Sequence, residues 1–151
     1  MRKKEKEITD HAEIEEILST NTICRIALCD NDFPYVIPMN FGYVGNKIFL
    51  HTGREGRKID IIKKNSNVCF EITDSIELVS SEKACGFNTK YRCVIGFGTI
   101  KIVNDLNKKK EALQIIMNQH TNKNDWQFPD ENVERTTILE IEIESLTGKK
   151  S

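Results

Sequence analysis

Three cationic side chains, Arg54, Arg57 and Lys58, lie close together where a segment with helical apolar spacing begins. The first turn of a helix has unpaired N–H groups and a partial positive charge, so it favours acidic side chains over basic ones. A phosphate bound there would take up both the amide donors and the cationic side chains. The cluster therefore predicts an anion site. The alternative is a solvated helix that is basic throughout, because Lys63 and Lys64 follow at its other end.

His51 precedes this cluster at the end of a strand-like run. An imidazole gains or loses a proton near neutral pH, so His51 could donate a proton to a substrate or hydrogen-bond it. The structural alternative is a histidine that ties the strand end to the helix. His11 and His120 are distant in sequence, and the five cysteines form no C-x-x-C pair. The sequence thus predicts neither a metal site nor a disulfide framework.

A β-hairpin is expected to position these groups. The apolar segment 35–44 is followed by Gly45-Asn46 and by the segment 47–50, which is typical of two strands joined by a tight turn. Pro38 interrupts the first strand and has no N–H for a ladder, so it should lie at an edge or a bulge. A flat ligand could use the free backbone groups there. An ordinary edge-strand proline is the alternative.

The rest of the chain predicts further strands and two main helices. Asp10 and Glu13 indicate a helix start in the manner of a capping box, and Asn104-Asp105 indicates another. Strands are expected over 23–29, 68–73, 91–103 and 136–144, with a loop over 80–88. The glycines of the long strand, Gly96 and Gly98, are typical of a curled sheet, and curled sheets close into barrels.

Two features of the second half bear on burial. In the last strand, Leu139, Ile141 and Ile143 should face the core, while Glu140, Glu142 and Glu144 should face solvent. Trp126 lies in an irregular polar stretch over 121–132. An aromatic side chain there either covers the core or contacts a ligand or a second subunit.

Length and charge limit the classes of protein. The 151 residues suit one domain, 1–151, with residues 1–9 as a flexible, charged lead-in. Lys plus Arg number 22 and Asp plus Glu 23, for a net charge of -1, so nothing favours nucleic acid or an anionic membrane. No apolar run is long enough to span a membrane and no signal peptide is evident, so a cytoplasmic location is expected.

Four motifs in this order resemble one family. They are Pro34-Tyr35-Val36-Ile37-Pro38-Met39-Asn40-Phe41-Gly42-Tyr43, then Ile48-Phe49-Leu50-His51, then Gly56-Arg57-Lys58-Ile59-Asp60, then Tyr91-Arg92-Cys93-Val94-Ile95-Gly96-Phe97-Gly98. Together they resemble the FMN-binding split-barrel proteins of the pyridoxamine 5′-phosphate oxidase superfamily, in particular the Nim-type 5-nitroimidazole-resistance branch. The resemblance runs from about Glu7 to Gly148.

The resemblance implies a mainly β fold, a Greek-key antiparallel split β-barrel with helices, and a homodimer with FMN at the subunit interface. It places the strand that carries Val36, Pro38, Met39 and Asn40 against the flavin ring. The other cofactor residues that it implies are His51, Thr52, Arg57, Lys58, Arg92, Cys93 and, from the partner subunit, Trp126. A serine is more usual where Cys93 stands.

The activity implied is FMN-dependent reduction of a small electrophile such as a nitroaromatic or a 5-nitroimidazole, with His51 as the candidate catalytic residue. No glycine-rich dinucleotide fingerprint is present, so NAD(P)H would bind only transiently over the flavin. Two alternatives stay open. One is an enzyme that oxidises a vitamin-B6 phosphate, and the other is a non-catalytic barrel that holds flavin or haem.

Overall fold

Within residues 3–151, which the computed structural model describes, seven strands form one antiparallel sheet that closes on itself. The strands are β1 (Glu7–Ile8), β2 (Ile23–Asp30), β3 (Phe33–Val44), β4 (Lys47–Thr52), β5 (Asn67–Val79), β6 (Asn88–Val103) and β7 (Thr137–Lys150). The helices are α1 (His11–Thr20), α2 (Arg57–Lys64), α3 (Leu106–Thr121) and α4 (Asp130–Arg135).

The strand order is β1-β7-β4-β3-β2-β5-β6, and an additional pairing of β6 with β7 closes the barrel. After the meander β2-β3-β4, the chain passes through α2 and returns to place β5 beside β2, which is a Greek-key connection. The expected mainly β, Greek-key antiparallel split barrel is confirmed.

The split lies between β3 and β4. These strands pair only where Phe41–Val44 faces Lys47–Leu50. Beyond that point β4 continues along β7 through Thr52, whereas the other half of β3, from Phe33 to Asn40, continues along β2. The two strands of the hairpin therefore belong to different parts of the barrel wall, and one edge of β3 is left open.

The barrel interior is filled by large apolar side chains, including the fully buried Phe41, Phe70, Ile26 and Leu50. Gly96 is required by this packing, because a Cβ there would lie 2.1 Å from the ring of Phe70. The apolar face of α2, with Ile59, Ile61 and Ile62, is buried as its spacing predicts.

Helix α3 covers the barrel wall at Gly42. A Cβ at this position would lie 2.7 Å from the backbone N and Cα of Ile116, so only glycine allows the helix axis to come this close. Asp105 caps α3 by accepting a hydrogen bond from the N–H of Lys108 at 2.9 Å. The predicted start of this helix is thus correct.

The N-terminal segment differs from the expected flexible lead-in. Lys4–Lys6 form a 3-10 turn, and Glu7–Ile8 pair with β7 at Lys149 and Gly148, with Ile8 buried. Residues 1 and 2 of the lead-in lie outside the described residues. Asp10 caps α1 as expected, but Glu13 does not complete a capping box, because its carboxylate pairs with Lys150 at 2.8 Å.

Three further expectations are corrected by tertiary packing. The β5 and β6 strands run beyond their expected bounds, to Val79 and from Asn88, and form an arm that the predicted loop joins, with a 3-10 turn at Ala84–Gly86. Glu140 is only 8% exposed, not solvent-facing, because α3 covers it and Lys47 and Lys101 pair with it at 2.6 and 3.1 Å. Helix α4 begins at Asp130, in the last three residues of the stretch that was expected to be irregular, and continues to Arg135.

Candidate functional site

The open edge of β3 offers an unusual set of backbone groups. The N–H of Phe41 donates to the carbonyl of Thr22, on the β2 side. Backbone groups alternate in direction along a strand, so the even-numbered residues of β3 direct theirs to the open edge. Pro34 and Pro38 occupy two of these positions and have no N–H. The donors that remain are those of Val36 and Asn40, with the carbonyl groups of Pro34, Val36 and Pro38 beside them.

Side chains at this edge are largely exposed. Val36 is 58% exposed, and Pro38 and Asn40 are exposed as well. Met39 differs from these three, because it pairs with Cys24 of β2 and packs its side chain against the core. The structure thus brings Val36, Pro38 and Asn40 to one surface but turns Met39 away from it.

His51 and Thr52 lie across the split from this edge. His51 is exposed and faces Ile138 in the β4–β7 ladder, while Thr52 is half-buried and faces Thr137. The β3–β4 register ends with Phe41 opposite Leu50, so the next residues, Asn40 and His51, flank the point where the two strands part. The imidazole therefore stands at one end of the open edge.

The start of α2 brings together the cationic side chains for which the sequence predicts an anion site. Gly56 is the N-cap residue, with φ +125°, and it has no side chain that could accept from the first amides of the helix. Its carbonyl accepts from the N–H groups of Ile59 and Asp60. Arg57 is exposed and Lys58 is half-buried in the first turn. Cationic side chains and unpaired amides thus occur at the same helix end.

Arg57 connects this helix end to β3. Its guanidinium carbon lies 4.9 Å from the centre of the Tyr35 ring, and its Nη2 lies 3.8 Å from Oδ2 of Asp30 at the end of β2. Since Tyr35 immediately precedes Val36, the cationic cluster stands at the opposite end of the open edge from His51. The site has a cation at one end, free backbone in the middle and an imidazole at the other end.

Arg54 fixes the loop between β4 and α2. Its Nη2 donates a 2.5 Å hydrogen bond to the carbonyl of Glu134 in α4. This contact holds the segment between His51 and Arg57 against the second half of the chain. The sequence predicts Arg54 only as part of the cationic cluster. It carries no signal for the role of Asp30 or for the contact of Arg54 with α4, because both contacts depend on tertiary register.

Arg92 is not brought to this site. Its side chain lies on the opposite face of β6 from that of Cys93. The guanidinium donates two hydrogen bonds of 3.0 Å, from Nε to Asp74 and from Nη1 to Glu16. Hydrogen bonds to Glu16 and Asp74 raise the pKa of Arg92. Burial raises the pKa of Asp74, but the hydrogen bonds from Arg92 and Ser75 outweigh it, so the net shift is downward. Arg92 anchors α1 to the base of the arm.

Cys93 lies on the outside of the barrel wall, between Thr73 and Lys149 in neighbouring strands. It is 7% exposed, and burial, followed by the charge of Glu71, raises the pKa of its thiol. The outer face of β6 that carries Cys93 also carries Ile95 and Phe97, which are exposed.

Trp126 lies over α3. It is 40% exposed, and its Nε1 donates to Oγ1 of Thr121 at 3.2 Å. With Ile115 and Phe128 it lines an open groove beside α3. Its contacts are thus with α3 and with the segment that follows it. Both uses that the sequence allowed, a partial cover and a surface contact, agree with this exposure.

The outside of the β3-β2-β5-β6 wall is a broad surface with few charges, which we call the outer sheet face. Two cross-strand rows define it: Val36, Ala27, Cys69 and Phe97, and Pro38, Arg25, Glu71 and Ile95. Phe97 is 56% exposed and Ile95 39%. Arg25 and Glu71 pair with each other at 3.2 Å. An exposed apolar patch of this kind marks an interaction surface.

Two absences concern residues 3–151. No helix in this range is long and apolar enough to cross a bilayer. Likewise, no group of three or more His, Cys, Asp and Glu side chains in the described part of the chain is placed to hold a metal ion.

Comparison with known proteins agrees with this geometry. A family model described as pyridoxamine 5′-phosphate oxidase matches residues 10–150. The chain belongs to this family. A curated relative, an uncharacterised protein of Rhizobium meliloti (strain 1021), is 25% identical over 67 residues, which are 44% of this chain and 44% of the relative. The match thus spans less than half the length of that relative.

Two solved structures share the fold. A candidate 5-nitroimidazole antibiotic resistance protein from Bacteroides thetaiotaomicron is 30% identical, with a TM-score of 0.85 over 95% of this chain and 86% of that one. A flavocytochrome from Azotobacter vinelandii also has a TM-score of 0.85, at 19% identity over 100% of this chain and 72% of that one. The expected superfamily and its Nim-like branch are confirmed.

Proposed function

We propose that this protein is an FMN-dependent oxidoreductase that reduces a small electrophile such as a nitroaromatic or a 5-nitroimidazole. The observation that carries the proposal is the alignment of an open β3 edge with the cationic start of α2. The edge suits a flat polar ring, and the helix start suits a phosphate. Few ligands combine these two groups at the two ends of one elongated molecule, and FMN does.

The residues present fit FMN at both ends. The N–H groups of Val36 and Asn40 and the neighbouring carbonyls would hydrogen-bond the ring, and Arg57 and Lys58 would bind the phosphate. Thr52, which follows His51 in the β4–β7 ladder, would lie near the ring end. When bound, FMN would supply the electron and hydride transfer, and the protein would orient it and shape access to it.

His51 is the candidate for proton transfer or substrate orientation. It is exposed at the end of the open edge, where a substrate lying over a flavin ring would pass. An imidazole can donate a proton to a reduced substrate near neutral pH. Because the side chain is not enclosed by its own chain, other groups are needed to exclude water.

A homodimer would provide that enclosure, and the outer sheet face supports it. Val36 belongs both to this face and to the open edge, so a second copy seated on the face would also cover the ligand. In a two-fold dimer the same patch appears on both subunits, which suits an apolar surface that is complementary to itself. Trp126 and Cys93 would then meet the cofactor through the dimer contact.

The nitroaromatic substrate class rests on the similarity to the Bacteroides thetaiotaomicron protein, together with the family membership. NAD(P)H is proposed as a transient electron donor that binds over the flavin. The cytoplasmic location stays a prediction from the sequence.

The visible spectrum of the purified protein tests the proposal first. Flavin absorption bands are expected, followed by bleaching with NADH, NADPH or dithionite and by reoxidation on addition of a 5-nitroimidazole. A haem Soret band without flavin would replace the proposal with a non-catalytic haem-binding barrel. Bound FMN that no reductant bleaches would indicate flavin storage. Turnover of pyridoxine or pyridoxamine phosphate would favour a vitamin-B6 phosphate oxidase.

His51→Gln tests the catalytic assignment separately. We expect slower reoxidation of the reduced protein by the nitro compound, with unchanged flavin content, because glutamine keeps hydrogen bonding but cannot donate a proton in this pH range. Unchanged reoxidation would leave His51 as a structural residue that ties the strand end to the helix.

A further inference from the structure

The Arg57 side chain is held from two sides by neighbouring strands. The Tyr35 ring lies under its guanidinium at 4.9 Å, and the Asp30 carboxylate flanks it at 3.8 Å. Tyr35 is half-buried and packs against the core, so its ring is a fixed platform. Asp30 ends β2, opposite Phe33 in the ladder. Arg57 is therefore oriented by contacts that come from outside its own helix.

None of these contacts uses the N–H donors of Arg57. A separation of 3.8 Å is an ion pair but is too long for a hydrogen bond, and stacking on a ring uses the face of the guanidinium rather than its edge. The other arginines within residues 3–151 each donate to a protein oxygen: Arg25 to Glu71, Arg54 to Glu134, Arg92 to Asp74 and Arg135 to Glu131. Among the arginines that the structure describes, Arg57 is thus held in position without donating a hydrogen bond to the protein.

We propose that Tyr35 and Asp30 are positioning residues that determine how strongly this site binds a phosphate group. Tyr35 holds the guanidinium edge towards the start of α2, where a phosphate would accept a bidentate pair of hydrogen bonds. Arg57 then loses less rotamer freedom when a phosphate binds, so the affinity for phosphate is higher. Neither residue touches the phosphate, and both act through Arg57.

Tyr35 and Asp30 have opposite effects on the affinity for phosphate. Asp30 neutralises Arg57 while the site holds no anion, and since no hydrogen bond joins them, a phosphate can take the guanidinium donors without breaking one. The carboxylate then stands near a group that carries about two negative charges, which opposes binding. Tyr35 thus favours phosphate binding and Asp30 restrains it.

This inference rests on the proposed function for its ligand, and a double-mutant experiment tests it. Apoprotein is titrated with FMN and with riboflavin, which lacks the phosphate, and binding is followed by flavin fluorescence at low and high salt. The variants are Tyr35→Leu, Tyr35→Phe and Asp30→Asn, each made with Arg57 and with Arg57→Ala. Thermal unfolding of each variant verifies that it is folded.

For FMN, we expect Tyr35→Leu to raise the Kd about two- to fivefold, as a lost exposed cation–π contact should, and Tyr35→Phe to leave it near wild type. Asp30→Asn should lower the Kd by a similar factor, and high salt should reduce that gain. The effects of Tyr35→Leu and Asp30→Asn should both vanish for riboflavin and in the Arg57→Ala background.

The inference is overturned if Tyr35→Leu weakens FMN and riboflavin equally, or weakens FMN to the same extent without Arg57, because Tyr35 then only packs against the core. A higher Kd for Asp30→Asn overturns the restraining role of Asp30. If the wild-type protein binds neither flavin, the proposed function fails. Inorganic phosphate is then titrated against the Arg57 and Lys58 amide NMR signals, and no shift in either signal overturns the inference as well.

Discussion

Introducing a charge into the outer sheet face should dissociate the proposed dimer. The variant Phe97→Glu makes this change at a side chain that is 56% exposed in one chain. Full burial of a phenylalanine contributes about 1.5–3 kcal/mol, so about half of this, roughly 1–1.5 kcal/mol, remains to be gained when a second copy covers the ring. A two-fold dimer contains the residue twice, which gives about 2–3 kcal/mol and a rise in the dimer Kd of about 30- to 150-fold.

Sedimentation velocity over a dilution series measures that Kd directly, and the flavin content of each sample shows whether the cofactor leaves with the partner. Phe33→Glu is the matched control. Phe33 is 72% exposed on the same sheet but alternates onto the opposite side of β3 from Val36. A wild-type protein that is monomeric at micromolar concentration, or a Phe97→Glu variant with an unchanged Kd, would refute the assignment of this face.

Three other perturbations test the site and the fold. Arg57→Ala and Lys58→Ala should each weaken FMN retention by about 1.5–3 kcal/mol per lost charge-assisted contact, measured as flavin content after dialysis, and unchanged content in both would exclude a phosphate there. Gly42→Ala should lower the free energy of unfolding by about 1–3 kcal/mol, because its Cβ would overlap the α3 backbone, whereas Gly53→Ala, with open space around it, should be near neutral in urea denaturation. Burial raises the pKa of Glu140, but the hydrogen bonds from its two lysine partners outweigh burial and hold the pKa below the ordinary 4.5. The ionised Glu140 therefore stabilises the folded state fully above pH 4.5, and this stabilisation is lost as the pH falls. Glu140→Gln should therefore flatten the loss of stability between about pH 5 and pH 3, and an unchanged pH profile would contradict the shift.

Much of the fold could be predicted because local and tertiary preferences agree. The hairpin at Gly45-Asn46, the caps Asp10 and Asp105 and the buried face of α2 all follow from short-range chemistry. Glu140 could not be predicted to be buried, because alternation identifies a second face of β7 but does not show that α3 will cover it.

The placement of Arg57 and Lys58 at one helix end could be predicted from local chemistry, whereas placements that depend on strand pairing could not. The anion-binding chemistry of Arg57 and Lys58 follows from the helix end that they share. Which way Met39 and Arg92 point depends on register and on charged partners from distant segments. The contacts of Arg57 with Asp30 and Tyr35 likewise form only when α2 packs on β2 and β3.

The two prolines of β3 have a consequence for the solution behaviour of the protein before it acquires any ligand. An unpaired strand edge is a template on which another chain can add a strand, and this leads to aggregation. Pro34 and Pro38 remove alternate donors from the open edge, so a foreign strand cannot complete a regular ladder there. The same edge that keeps backbone groups free for a small molecule is thereby protected against polymerisation during synthesis and folding.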